Sequence, residues 1–124
     1  MINRDSSIIK STTNQDLSKY SYLTKEYPVI RFKKNQTIKK KIKYNNPDDY
    51  DKPISLVSKD PIITLRQKQM TIEYKSSKYI KFLFELPMTE GNYHPSIVIT
   101  NDRTGEIEEI LKFNIEIIGD HEIP

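Results

Sequence analysis

The chain has 124 residues, with 20 Lys and Arg against 17 Asp and Glu and a formal net charge of +3. That length fits one domain, and the absence of cysteine excludes disulfide staples, thiolate metal sites and a cysteine nucleophile, so a reducing, cytoplasmic setting is expected. Apolar runs are four residues or shorter, so nothing reads as a membrane span or as a signal peptide behind Met1.

Alanine is missing, whereas isoleucine occurs 19 times, threonine 9 and valine 3. Such stiff β-branched side chains suit pleated strands, which predicts an all-β domain. An apolar share of 35% implies a thin core with part of the chain outside it. Charge is uneven: residues 1–62 carry 13 basic and 7 acidic groups, residues 63–124 carry 7 and 10. Lys, Ile and Asn are all overused while Ala is absent, the pattern an AT-rich genome produces, so the basic excess is a modest signal.

Residues 1–26 are polar and lack period-2 alternation, which reads as a flexible N-terminal arm, or as a docking arm that orders on a partner. Leu17, Tyr20 and Leu23 recur there at spacing three, behind Thr13 and Asp16, which suit a helix cap. Alternation begins at Tyr27. Residues 29–32 form a first strand opened by Pro28. Residues 37–44 set Ile38, Ile42 and Tyr44 on one face and Lys39, Lys41 and Lys43 on the other, a half-buried strand with its lysines about 6.6 Å apart. Asn45-Asn46-Pro47-Asp48-Asp49 stops it.

Residues 54–58 form a third strand, ended at Asp60-Pro61; Ile63 and Leu65 mark a fourth, and Met70, Ile72 and Tyr74 a fifth. After the turn Lys75-Ser76-Ser77-Lys78, the strand over 79–86 puts Ile80, Phe82, Phe84 and Leu86 on one face. A strand over 93–101 leads into the turn Asn101-Asp102-Arg103-Thr104-Gly105, and residues 107–118 close the domain with Leu111, Phe113, Ile115 and Ile117 inward. Seven to eight short strands within residues 27–118, joined by short connections, predict a β-sandwich of two antiparallel sheets, with residues 119–124 as a short tail. No Cys…Trp…Cys spacing exists, which excludes an antibody-type domain.

The sequence points away from catalysis. His94 and His121 each lack a second histidine at metal-ligand spacing, and three glycines cannot build a phosphate-cradling loop. Glu106, Glu108 and Glu109 offer carboxylates beside the last turn, but on a regular strand Glu106 and Glu108 point together into solvent. No catalytic residue, metal or cofactor is therefore expected, and the chain does not read as an enzyme. The basic stretch 33–43, with six lysines in eleven residues, is the best binding patch, and Lys39, Lys41 and Lys43 are its candidate protein-binding residues. Nucleic acid would want aromatics on that same face, and Tyr44 falls on the other. An outer face kept soluble, which also guards an edge strand, is the plainer use of the lysines; as a binding patch they are expected to meet acidic protein surfaces, tubulin among them, rather than RNA.

Asn46-Pro47-Asp48-Asp49, then Val57-Ser58-Lys59-Asp60-Pro61 with Ile63-Thr64-Leu65, then Tyr79-Ile80-Lys81-Phe82-Leu83-Phe84, follow one another in an order that resembles the major-sperm-protein and hydin-type Ig-like domains. The segment Ile97-Val98-Ile99-Thr100-Asn101-Asp102, with Gly105 and Glu108-Glu109, is similar to the C-terminal Ig-like domains of nephrocystin-4, a scaffold of the ciliary transition zone. The resemblance covers residues 27–118. It implies a non-catalytic scaffold without cofactor, acting through protein contacts at a cilium, axoneme, basal body or centrosome, without inserting into a membrane. In the family branch that binds acidic peptide motifs a basic strand face carries the ligand; Lys59, Arg66 and Lys68 are its loose counterparts here. That branch implies the alternative reading, a module for acidic or phosphorylated peptides.

Overall fold

The computed structural model describes residues 18–119. A 3-10 helix (Ser18–Leu23) precedes nine strands in these residues: β1 (Thr24–Lys33), β2 (Thr37–Asn45), β3 (Lys52–Val57), β4 (Ile63–Leu65), β5 (Gln69–Ile72), β6 (Ser77–Glu85), β7 (Gly91–Tyr93), β8 (Ser96–Asn101) and β9 (Glu106–Ile118). They form two sheets, one ordered β1-β9-β8-β3-β5 with β7 also on β9, the other β2-β6-β4. The class is the expected all-β sandwich.

Three details depart from the sequence reading. There are nine strands, because the expected strand over 93–101 is broken at His94-Pro95 into β7 and β8, which pair with successive stretches of β9. Pro95 has no N–H for a ladder, so the break falls there. The β1–β9 pair is parallel, Ile30 opposite Ile115 and Phe32 opposite Ile117. Short connections forbid parallel neighbours in sequence, but β1 and β9 are joined through the whole sandwich, so that limit does not reach them. The third departure is at the N-terminal side: Ser18–Leu23 and Thr24–Glu26 belong to the sandwich, while Thr13, Asp16, Leu17 and the rest of the expected arm, like most of the tail, lie outside the described residues.

The core lies between the sheets. Ile80, Phe82, Phe84 and Leu86 come from one side, and Ile54, Leu56, Ile97, Ile99, Leu111, Phe113, Ile115 and Ile117 from the other, all buried. Phe82, Phe84 and Phe113 sit with ring centroids 5.3–5.4 Å apart, in the tilted and edge-on arrangements that ring quadrupoles favour. A second, smaller cluster lies on the opposite face of the larger sheet. There Val98, Ile107 and Ile110 are covered by Tyr20 and Leu23 of the 3-10 helix. The spacing of three matches a 3-10 turn, which brings side chains at i and i+3 into line. Deleting residues 1–26 is therefore expected to lower stability by about 2 kcal/mol or more, since it uncovers this cluster and removes three residues of β1. An unmoved urea midpoint would show that the helix covers nothing of consequence.

Candidate protein-interaction face

The alternation of β2 turns Lys39, Lys41 and Lys43 outward, all exposed, while Tyr44 is buried. On the neighbouring strand β6 these lysines stand opposite Leu83, Lys81 and Tyr79. Beyond it, Thr64 of β4 pairs with Leu83, and the N–H of Arg66 donates to the carbonyl of Lys81 at 3.2 Å. The outer face of the three-stranded sheet thus gathers Lys39, Lys41, Lys43 and Lys81, with Arg66 at its margin. Among the described residues none of the five is in an ion pair. Its one carboxylate, Glu85, accepts from the Thr64 hydroxyl at 2.5 Å. Beside Lys81 a concavity of about 630 Å³ opens, lined by Arg66, Met70, Lys78 and Tyr79 among others. Of the family's loose counterparts, Arg66 meets this face.

Sequence reasoning left Lys81 and Tyr79 out of the patch and took Arg66 only as a loose family counterpart; all three reach the lysine row from other strands. Tyr79 is 49% exposed on the lysine face, so that face does carry an aromatic. Cross-strand register is what puts it there, and β2 taken alone cannot reveal it. The ammonium of Lys41 lies 4.6 Å from the Tyr79 ring centroid, a cation–π contact that already occupies one face of the ring.

The carboxylates by the last turn behave differently from the sequence reading. The β8–β9 register slips between Ile99 and Thr100: Ile99 pairs with Glu109 and Thr100 with Ile107, leaving Glu108 as the extra residue of a bulge. A bulge re-aims the side chain it inserts. Glu108 turns into the sandwich, where its Oε1 accepts from Lys52 Nζ at 2.8 Å and from the Tyr44 hydroxyl at 3.4 Å. Its Oε2 accepts from Asn101 Nδ2 at 3.2 Å. Lys52 is only 2% exposed and also reaches Asp48 Oδ2 at 2.8 Å. Burial pushes the Tyr44 phenol up to about 12, helped by Glu108 and opposed by Lys52. Burial opposes the charge on Lys52, but its hydrogen bonds to Asp48 and Glu108 outweigh that and raise its pKa.

Two buried asparagines complete this end. Asn46 Nδ2 donates to the carbonyls of Tyr50, Ile72 and Glu73, and Asn101 Nδ2 donates to the Tyr50 hydroxyl at 2.8 Å. Each side-chain oxygen accepts a backbone N–H two residues on, from Asp48 and Arg103. Asp48 and Glu108, from two of the segments that carry the family resemblance, thus meet at Lys52, while Asn46 and Asn101 hold the turns beside it. Glu106 stays exposed, and Glu109 is half-buried, its pKa raised by burial and by Glu108 against the pull of Lys25. His94 Nδ1 is 2.7 Å from Asn114 Oδ1 at the surface, and His121 lies outside the described residues.

No protein-family model and no curated protein matches the sequence. Solved structures do. The PapD-like domain 7 of human CEP192 is 14% identical with a TM-score of 0.51, over 78% of this chain and 79% of that one. WR4, a major-sperm-protein family member of C. elegans, is 10% identical with a TM-score of 0.50, over 79% and 94%. A family 123 glycoside hydrolase from Clostridium perfringens aligns over 92% of this chain but 25% of its own, with 13% identity and a TM-score of 0.61. The chain has the Ig-like β-sandwich fold found in major-sperm-protein and PapD-like domains.

Proposed function

We propose that this chain is a non-catalytic protein-interaction module, which engages an acidic protein surface through the outer face of the β2-β6-β4 sheet. The observation that carries the reading is the set of cations on that face, Lys39, Lys41, Lys43, Lys81 and Arg66, held without carboxylate partners among the described residues. Unpaired charge of one sign on a flat sheet steers association with a surface of opposite sign. Single-stranded nucleic acid is the less fitting partner, because Tyr79 is already engaged by Lys41 and no second aromatic accompanies it on that face among the described residues. The carboxylates suited to acid–base work are spent on structure, Glu108 having both oxygens engaged by Lys52, Tyr44 and Asn101.

A scaffold role in a ciliary or centrosomal assembly is the finer reading, supported by the resemblance to nephrocystin-4 domains and by the fold shared with the CEP192 domain. The same cationic face equally suits capture of an acidic or phosphorylated peptide, with Arg66 and Lys81 flanking the concavity. Reversing Lys39, Lys41 and Lys43 to Glu is expected to slow association with tubulin or another acidic probe protein by about tenfold or more at low salt. Folding should persist, because exposed substitutions cost under about 0.5 kcal/mol each. Proximity labelling by the full chain in ciliated cells should enrich axonemal and basal-body proteins, and the triple variant should lose them. Tight oligonucleotide binding at physiological salt that the triple variant abolishes would replace this reading with a nucleic-acid one.

A further inference from the structure

A second surface lies where the two sheets meet at their edges. β1 ends one sheet and β2 ends the other, and among the described residues each is paired on one side only. Between them runs a groove of about 270 Å³, with Tyr27–Ile30 on one rim, Lys40–Ile42 on the other and Phe82, Phe84 and Phe113 beneath. The β1 register breaks between Glu26 and Val29, so Tyr27 and Pro28 stand out of the β1–β9 ladder. Asn114 fills that break, its Nδ2 donating to the Tyr27 carbonyl at 2.8 Å.

The groove is an aromatic trough with few but specific polar groups. Tyr27 stacks on Phe113 with ring centroids 4.9 Å apart, and its hydroxyl is buried with no hydrogen-bond partner among the described residues. Lys40 is the anomaly of β2. It shares the inward parity of Ile38 and Ile42, is half-buried, and lies with its ammonium 6.0 Å from the Phe32 ring centroid, without a carboxylate partner among the described residues. Val29, on the opposite rim, is 59% exposed.

The geometry points to this seam as a docking groove for an extended acidic segment of a partner protein. The segment's main chain would add to the free edge of β2, an apolar side chain would lie between Val29 and Ile42 above the buried phenylalanines, and a carboxylate would meet Lys40. Charge decides the occupant. Edge-to-edge pairing with a second copy would set the lysines of one β2 beside those of the other, whereas an acidic strand complements them. Strand addition takes its affinity from main-chain bonds and its selectivity from alternate side-chain pockets, which a free edge above an aromatic floor supplies. The inference rests on the chain being a protein-binding domain, but it names a surface other than the outer lysine face.

The test is selection of a displayed library of random nine-residue peptides on the full-length chain, followed by backbone NMR mapping of the enriched peptides. Enrichment of acidic peptides with a central branched or aromatic residue is expected, with shifts centred on residues 27–30 and 40–42. Lys40→Glu should weaken those peptides by about tenfold or more and Lys40→Met by less, because methionine keeps the apolar stem. Lys39→Glu with Lys43→Glu, on the opposite face, should leave the seam peptides bound. Shifts centred on Arg66, Tyr79 and Lys81 would overturn the seam while upholding the outer face. No enrichment, or affinity that appears only once residues 1–17 are deleted, would overturn it as well, the latter by naming the chain's own N-terminal residues as occupant. A concentration-dependent dimer abolished by Lys40→Glu would assign the seam to a second copy instead.

Discussion

Phe84→Ala is expected to cost about 3–5 kcal/mol, out of a total stability that for a domain of this size is about 5–15 kcal/mol. Phe84 is fully buried and touches three other rings, with centroids 5.4 Å from Phe82, 5.3 Å from Phe113 and 6.3 Å from Phe32. Those neighbours sit on β6, β9 and β1, so the vacated space is walled by strands of both sheets and cannot close by a local shift. The transfer cost of the ring and the cost of the cavity therefore add. Urea titration reads the loss as a lower midpoint with an unchanged slope. Tyr74→Ala, at a side chain 60% exposed, is the control and should move the midpoint little. Equal midpoints for the two variants would mean that Phe84 does not sit between the sheets.

That inward row was legible in the sequence because strand parity needs only a period of two. Ile80, Phe82, Phe84, Leu111, Phe113, Ile115 and Ile117 are all found where the alternation puts them. The outward lysines of β2 were legible for the same reason. What parity cannot supply is anything that breaks or crosses it. Lys52 lies in the inward row of β3 with Ile54 and Leu56, but a lysine there does not read as a core residue, so the alternation is read only from Ile54. Glu108 reverses its expected direction because one extra residue in β9 resets the alternation, and nothing local to Glu106-Ile107-Glu108-Glu109 marks which residue is the extra one. Val98 and Thr100 alternate away from Ile97 and Ile99, yet both are buried; the 3-10 helix covers Val98, a tertiary contact with no local signal. The face proposed for partners was half legible, since its second and third strands contribute by register alone.

Glu108→Leu is expected to cost about 3–5 kcal/mol, for a reason opposite to that at Phe84. Nothing is gained by the added apolar surface if a buried ammonium is left behind. Lys52 would keep Asp48, whose carboxylate is partly in solvent, and lose the partner that stands closest to the core. Asn101 and Tyr44 would lose an acceptor as well. Adding Lys52→Met to Glu108→Leu should restore much of the loss, because removing both members of a buried pair costs far less than removing one. The pH dependence separates this account from simple overpacking. In the wild type both Tyr44, at about 12, and Lys52 hold their protons more tightly folded than unfolded. Groups whose folded pKa is raised contribute stability that is complete below the unfolded value and disappears as pH climbs through the folded one, so wild-type stability should decline from about pH 10 upward. In Glu108→Leu, burial acts on Lys52 with less to oppose it, and its folded pKa falls. Stability lost at neutral pH is then partly regained as the ammonium sheds its proton. The gap between wild type and variant should narrow as pH rises toward 10 and beyond. A gap independent of pH would mean that the penalty comes from fitting leucine at the bulge, with Lys52 able to find water.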